Sequence, residues 1–297
     1  MTLPAHPSAA LRRAGLSAAA VLLVAVAGCA PEEATPAPAT SGSSGAAACT
    51  KESLSLITPG KFTVGTDKPA YEPWFSGDDP TNGKGYESAV TYAVAKQLGF
   101  APTDVSWITV PFTNAFAPGE KKFDIDVNQV SITEQRRKAV DFSSGYYDVA
   151  QAVVTTAGST ISGATTVAAL KTAKLGAQVG TTSYTAINEQ IQPNEKPAVY
   201  DTNDLAVQAL KNGQIDGLVV DLPTAFYAAA AQLDDGKIVG QLPAGAQAAD
   251  QFGFVLGLGS PLTSFVSSAV DALRADGTLE KLEGEYLSNA DGAPVLQ

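Results

Sequence analysis

Three adjacent cations, Arg136, Arg137 and Lys138, follow a segment typical of a β-strand, residues 123–131. Such a cluster can be a solvated helix face, a nucleic-acid patch or a clamp for one anionic ligand. Thr133 is a suitable helix N-cap, so the pattern predicts a helix whose first turn contains Arg136. Because successive helical residues point about 100° apart, the three cations cannot share one target. We expect one to point inward and two to be solvated, and the choice between ligand clamp and surface helix stays open at this point.

Polar residues stand at the ends of four predicted strands. They are Asp67, then Asn128, Gln129 and Ser131, then Thr181 and Thr182, and finally Asp221. In open α/β sheets, ligands bind outside the carboxyl ends of the strands. With one arginine added, these residues form a candidate site of mixed charge. Such a lining suits a free amino acid, because its carboxylate and its ammonium group must each be paired once they lose water.

Each of these residues also has a purely structural explanation. Asp221, Thr181 and Thr182 precede segments that start helices, so they could serve only as helix caps. A helix N-terminus can alternatively receive an anion through its free N–H groups. Tyr71 and Trp74 are either core aromatic residues or walls around a ligand, and the core is the commoner location.

Short β-rich runs alternate with amphipathic stretches from residue 61 onward. The predicted strands are residues 61–67, 123–131, 173–183 and 214–223. The predicted helices, 86–99 and 204–213, both end in glycine, a common helix terminator. Strands separated by helices indicate parallel β-α-β units, so the predicted fold class is α/β.

The first 28 residues have the layout of an export signal. Arg12 and Arg13 precede the 15-residue apolar run Ala14–Gly28, which is too short to span a bilayer comfortably and is followed by Cys29. The sequence VAGC at 26–29 resembles a bacterial lipobox, in which Cys29 becomes the lipidated first residue. An uncleaved anchor helix is the alternative. We assign residues 1–28 to a lipoprotein signal peptide.

The segment after the signal, residues 29–59, is interpreted as a lipid anchor and flexible tether. Its stretch 31–48 is rich in proline and small polar residues and has nothing to bury. Cys49 has no partner once Cys29 is lipidated, so no disulfide framework or zinc site is expected.

Charge and residue usage exclude several function classes. Residues 1–28 contain two arginines and no acidic residue, so the remaining chain has 17 basic and 30 acidic residues and a net charge of −13. Such a surface repels nucleic acid. The one histidine, His6, lies in the signal, which excludes histidine-dependent catalysis and His-ligated metals. No nucleophile motif, phosphate-binding loop or dinucleotide fingerprint is present.

The order and spacing of six segments resemble the polar amino-acid family of extracytoplasmic solute-binding proteins, the receptor components of ABC importers. The segments are FTVGTD (62–67), GKGYESAVTYAVAKQLG (83–99), FDIDVNQVSITEQRRKAVDFSSGYY (123–147), GTTSY (180–184), GQIDGLVVDLPTA (213–225) and DGTLEKLEGEY (276–286). The resemblance covers about residues 60–290. It implies an α/β, two-lobed periplasmic-binding-protein fold of type II, with two hinge strands and the ligand in the interlobe cleft.

The resemblance also implies lobe boundaries. Lobe 1 would be residues 60–150 plus 252–297, and lobe 2 residues 151–251. The chain would cross between the lobes near Val149–Val153 and again near Gln251–Phe254.

Residue roles follow from the same resemblance. Arg136 aligns with the arginine that binds the ligand's α-carboxylate, and Asp221 with the acidic residue that holds the α-ammonium group. Ser131 and the backbone near Gln129 would bind either end group, and Thr182 would join the carboxylate site from the other lobe. The expected ligand-binding residues are Asp67, Tyr71, Trp74, Asn128, Gln129, Ser131, Arg136, Thr181, Thr182 and Asp221.

The expected function is the substrate-binding component of an amino-acid ABC importer. Lobe closure would capture a polar L-amino acid, basic or amide, for delivery to a membrane permease. Asp67 and Glu72 favour a basic or polar side chain, whereas Gln129 would suit an amide. We expect a monomer without catalytic residues, metals or cofactors, held outside the cytoplasm on the cell membrane through Cys29.

Two other function classes use the same fold. A secreted cyclohexadienyl or arogenate dehydratase would need a general acid beside the substrate, for which Asp67, Glu72 and Glu87 are candidates. A ligand-sensing receptor subunit would need a signalling partner.

Overall fold

The computed structural model describes residues 51–244, 250–287 and 292–297. The signal peptide, Cys29, Cys49 and most of the tether lie outside the described residues. None of the described helices is long and apolar enough to cross a membrane.

Ten strands and seven α-helices occur in the described ranges. The strands are β1 (Phe62–Thr66), β2 (Val105–Thr109), β3 (Ile125–Asp126), β4 (Val140–Val149), β5 (Gln151–Thr156), β6 (Leu175–Gln178), β7 (Ala198–Tyr200), β8 (Gly217–Asp221), β9 (Gly236–Gln241) and β10 (Asp250–Gly257). The helices are α1 (Tyr86–Gln97), α2 (Phe112–Ala115), α3 (Thr182–Ala186), α4 (Asn203–Lys211), α5 (Leu222–Tyr227), α6 (Thr263–Ala275) and α7 (Thr278–Tyr286).

The strands form two separate five-stranded sheets, which define two lobes. The strand order is β2-β1-β3-β10-β4 in the first and β7-β6-β8-β5-β9 in the second. In each sheet three neighbouring strands are parallel, and the fourth strand in the order, β10 or β5, runs antiparallel to both of its neighbours. Each sheet is covered by buried apolar clusters, including one around Trp74, Tyr86 and Phe254 on the first sheet, and one around Leu218 and another around Val219 on the second. The α/β prediction is confirmed.

Most predicted elements are present, but several are shorter than predicted, including the strands expected over 173–183 and 214–223, which are β6 and β8. The strand expected over 123–131 is only β3, and the helix expected after Thr133 is a single 3₁₀ turn, Arg136–Lys138. The Thr133 hydroxyl accepts a hydrogen bond from Arg136 N at 3.1 Å, as an N-cap does. The helix cannot continue, because the chain enters β4 at Val140 and pairs there with β10.

Two of the places where the chain crosses between the lobes lie in the middle of the fold. The first crossing lies at Ala150, between β4 of the first sheet and β5 of the second. The second lies between Gln241 and Asp250. This is before the expected Gln251–Phe254, which belongs to β10 because Phe252 and Phe254 pack into the first lobe's core.

The last described residues correct the expected lobe boundary, because 292–297 lie on the second lobe and not on the first. Val295 forms a parallel bridge with Gln241, and Leu296 N donates to Gln241 O at 2.9 Å. Leu296 is 2% exposed and packs in the second lobe's core. The chain therefore returns to the second lobe after α7.

This assignment predicts a selective loss of stability. Leu296→Ala should lower the free energy of unfolding by about 2–5 kcal/mol, because it opens a cavity in the second lobe's core. Val295→Ala is the matched control, since Val295 is 52% exposed and should have little effect. Urea denaturation of both variants measures the difference. Equal stabilities would contradict the packing of this segment on the second lobe.

Candidate functional site

A polar cavity lies between the two lobes and encloses about 530 Å³ of empty space, counting its opening to solvent. Every residue that the sequence put forward for ligand binding lines this cavity, except Trp74. They come from strand ends and short turns of both sheets. The structure thus brings the candidates together, while their roles in binding remain predictions.

Arg136 points into the cavity, and its two cationic neighbours do not. It is 7% exposed, whereas Arg137 and Lys138 are exposed. Its guanidinium donates from Nη1 to Ser131 O at 2.6 Å and from Nη2 to Gly180 O at 2.9 Å. The expectation of one inward and two solvated cations is confirmed.

The environment of Arg136 is partly apolar. The guanidinium carbon lies 4.3 Å from the centre of the Phe116 ring. Burial lowers the pKa of Arg136 to about 10, so the side chain stays cationic at neutral pH. An arginine has five N–H donors, and two are used by backbone carbonyls, so the rest are free to bind an anion.

Asp221 is both a helix cap and part of the cavity lining. It ends β8 and precedes α5, where its Oδ1 accepts from Thr224 N at 3.1 Å and its Oδ2 from the Thr224 hydroxyl at 2.9 Å. Burial raises the pKa of Asp221 to about 6, although both Thr224 donors favour the charged form. Asp221 therefore caps α5 and also lines the cavity, and its role in ligand binding stays a prediction.

Gln151 lines the cavity and was missed by the sequence reasoning. It begins β5 directly after the first crossing, opposite Asp221 in the antiparallel β5–β8 register. Its Oε1 is buried and accepts no hydrogen bond from the described part of the chain, and the same holds for Asn128 Nδ2 as a donor. An unused acceptor beside a carboxylate suits an ammonium group. Only strand pairing reveals Gln151, because nothing in its sequence neighbourhood marks it.

Other lining residues were also missed. They are Phe112, Gln178, Ser183, Asn203, Val220 and Phe252. Phe112 and Phe252 line the cavity together with Tyr71, whereas the sequence analysis considered only Tyr71 and Trp74 as aromatic walls. No local pattern distinguishes them from ordinary core residues.

Hydrogen bonds across the cavity hold the lobes together. Ser131 Oγ and Thr182 Oγ1 are 3.0 Å apart, and Arg136 reaches Gly180 of the second lobe. Thr181 caps α3 by accepting from Tyr184 N at 3.2 Å. The structure is therefore a closed arrangement, in which both lobes contribute to one polar site.

Asp67 and Tyr71 lie at the cavity edge contributed by the β1 turn. Asp67 accepts backbone N–H bonds from Lys68 at 2.7 Å and Phe112 at 3.1 Å. Burial raises the pKa of Tyr71, and the negative charge of Asp204 adds to the shift.

Gln129 connects the lining to a buried acid beneath it. It has a left-handed backbone with φ 48°, and its backbone N donates to Glu87 at 2.8 Å while its side-chain amide bonds the same carboxylate. Tyr146 also donates to Glu87, and burial raises the pKa of Glu87 to about 7. Glu87 is fully buried and does not line the cavity, and Glu72 bonds Gly77 N outside it. Of the three acids considered for a dehydratase, only Asp67 reaches the cavity.

Trp74 is placed in the core of the first lobe, so the expectation of a ligand contact is corrected. It is fully buried, and its ring packs edge-to-face against Tyr86, Tyr147 and Phe252. Its indole Nε1 donates to the Thr224 hydroxyl at 2.9 Å. The segment from Pro69 to Phe75 places the Trp74 ring in the first lobe's core, where this large apolar side chain is removed from water.

Metal ligands are not grouped in the parts of the chain that the structure covers. Within 51–244, 250–287 and 292–297, no three His, Cys, Asp or Glu side chains are placed to hold a metal ion.

The chain is similar to proteins of one known family. The family model described as bacterial extracellular solute-binding proteins, family 3, matches residues 62–289. The histidine-binding periplasmic protein of Salmonella typhimurium is 30% identical over 238 residues, which cover 77% of this chain and 88% of that protein. The L-arginine-binding protein of Pseudomonas aeruginosa is 26% identical over 245 residues, covering 76% of this chain and 90% of that protein.

Solved structures share the fold. The arginine-, lysine-, histidine-binding protein ArtJ from Geobacillus stearothermophilus has a TM-score of 0.64 at 20% identity, covering 78% of this chain and 97% of that one. An ancestral arginine-binding protein bound to arginine has a TM-score of 0.62 at 28% identity, covering 76% of this chain and 98% of that one.

The environment of Asp221 predicts an unusual titration. In the closed arrangement without ligand, the Asp221 carboxyl should titrate with a midpoint of about 6, because burial raises its pKa. Thr224→Val should move the midpoint upward, since it removes a donor that favours the charged form. Carboxyl ¹³C NMR, with Asp221→Asn to assign the resonance, measures both. A midpoint near the usual aspartate value of about 4 would contradict the burial of this group.

Proposed function

The chain belongs to the bacterial extracellular solute-binding proteins, family 3, and we propose that it is the receptor of an amino-acid ABC importer. The observation that carries the proposal is the pair of opposite charges that line one cleft, the buried Arg136 from the first lobe and the partly buried Asp221 from the second. Arg136 binds the ligand's α-carboxylate, and Asp221 with Gln151 holds its α-ammonium group. A zwitterion is the ligand that pairs both poles at once.

Lobe closure is the capture step in this proposal. The free protein samples an open state, and a ligand that contacts both lobes favours the closed one. Ser131 and Thr182, which touch across the cleft, complete the lining on the carboxylate side. The closed form then delivers the amino acid to a membrane permease.

The charge of the lining favours a cationic ligand side chain. Arg136 and Asp221 are matched by the α-carboxylate and α-ammonium groups, which leaves Asp67 as a further acidic group on the cavity. The named relatives that bind histidine or arginine support the same choice. The amide side chains of Asn128, Gln129 and Gln178 would accommodate the polar end of such a ligand.

Membrane attachment is part of the proposal and rests on the sequence alone. After removal of residues 1–28, a lipid on Cys29 and a tether that ends before Lys51 would keep the binding protein, as a monomer, close to its permease. The expected tether is shorter than 29–59, because Leu54 packs in the first lobe's core and Ile57 N donates to Asp124 at 2.8 Å. Residues 29–50 lie outside the described residues.

Replacing the inward arginine tests the site directly. Arg136→Ala should weaken amino-acid binding by about 10²–10³-fold or more, because removing one partner of a buried charge pair costs roughly 3–5 kcal/mol. Isothermal titration calorimetry with a panel of the twenty amino acids gives the affinities.

Arg137→Ala is the matched control, since it removes the same charge one residue away on the exposed side. It should leave affinity almost unchanged. Equal losses at 136 and 137, or no binding of any amino acid by the unaltered protein, would overturn the proposal.

Asp67→Asn tests the side-chain preference. The substitution keeps the shape and removes the charge, so arginine or lysine affinity should fall roughly tenfold, the value of about 1.4 kcal/mol. Glutamine affinity should change much less. Competition calorimetry with arginine and glutamine compares them, and an equal change for both ligands would rule out Asp67 as the side-chain partner.

A further inference from the structure

A chain of hydrogen bonds connects the core of the first lobe with Asp221, the acidic residue of the cleft to which we assign the ligand's ammonium group. The indole Nε1 of Trp74 donates to Thr224 Oγ1 at 2.9 Å, and the same hydroxyl donates to Asp221 Oδ2 at 2.9 Å. Trp74 belongs to the first lobe, whereas Thr224 and Asp221 lie at the start of α5 in the second. The chain is therefore complete only when the lobes are closed.

The direction of these bonds is set by chemistry. An indole N–H can only donate, and a carboxylate can only accept. Thr224 therefore accepts from Trp74 with a lone pair and donates its single O–H to Asp221. A hydroxyl that accepts one bond also donates more strongly, because neighbouring hydrogen bonds polarise one another.

Opening the lobes would break this chain at Trp74. The ring is held in the first lobe by Tyr86, Tyr147 and Phe252, so it cannot follow Thr224. Its indole N–H would lose its partner, and the Thr224 hydroxyl would be free to rotate away from Asp221.

We propose that Trp74 is a positioning residue that couples lobe closure to the orientation of Asp221 through the Thr224 hydroxyl. The inference rests on the proposed function, in which Asp221 holds the ligand's ammonium group. Closure then prepares the acid for its ligand, and the ligand in turn stabilises the closed state. Trp74 thus affects affinity without contacting the ligand.

A double-mutant cycle tests the coupling. Trp74→Phe and Thr224→Val should each weaken amino-acid binding by about 3- to 10-fold, the effect of one buried hydrogen bond. In the Thr224→Val background, Trp74→Phe should cost almost nothing more, whereas Thr224→Ser keeps the hydroxyl and should preserve the coupling. Losses that multiply fully in the double variant would overturn the proposal, because Trp74 would then act through packing alone.

The two tryptophans allow a second readout that does not depend on affinity. Trp107 Nε1 donates to the Tyr92 hydroxyl within the first lobe, at 3.2 Å, so it serves as an internal control. In ¹⁵N NMR of the full-length protein, Thr224→Val should shift the Trp74 indole resonance and speed its hydrogen exchange. The Trp107 resonance should not change, and an unchanged Trp74 resonance would also overturn the proposal.

The indole measurement separates this inference from the function on which it rests. A protein that binds none of the twenty amino acids would refute the proposed function, yet its Trp74 resonance would still report the interlobe bond. Thermal melts show whether Trp74→Phe is folded. If Trp74→Phe is not folded, Thr224→Val tests the same hydrogen bond, because it changes no residue of the first lobe's core.

Discussion

A cation buried in a protein must be given partners, and the site is built around this requirement at Arg136. An unpaired buried charge costs several kcal/mol, so the guanidinium can stay inside only where acceptors surround it. Ser131 O supplies one from its own lobe, Gly180 O supplies one from the other, and the Phe116 ring covers one side. Because Gly180 O lies across the cleft, Arg136 makes both of these hydrogen bonds only when the lobes are closed.

Asp221, the acidic residue of the cleft, also needs partners, and it obtains them in a different way. Asp221 is held by Thr224 of its own helix, lies opposite Gln151 on the neighbouring strand, and is linked through Thr224 to Trp74 of the other lobe. Two charges of opposite sign are thus placed in one cavity without bonding each other. Their separation, and the unused donor and acceptor atoms of Asn128 and Gln151, leave places for a ligand that carries both charges.

Sequence reasoning worked best where the physics is local. Alternation of strands and amphipathic helices predicted an α/β fold, and strand ends located polar residues such as Asp67 and Asp221. Helical geometry indicated that the three adjacent cations could not share one target, and we expected one of them to point inward. It failed where the answer depends on distant chain segments. Gln151 is part of the lining because strand pairing places it opposite Asp221. Leu296 belongs to the second lobe because its side chain packs in that lobe's core.

Trp74 shows the limit most clearly. Its position beside Tyr71 suggested a ligand wall, since sequence cannot tell which aromatic ring of a pair turns toward the cleft. By itself, the sequence determined the fold class, the likeness to a family of solute-binding proteins, and the residue types able to pair a zwitterion. Only the tertiary structure decided which atoms meet, because the cleft forms between two lobes whose contacts join residues such as Trp74 and Thr224, far apart in the chain.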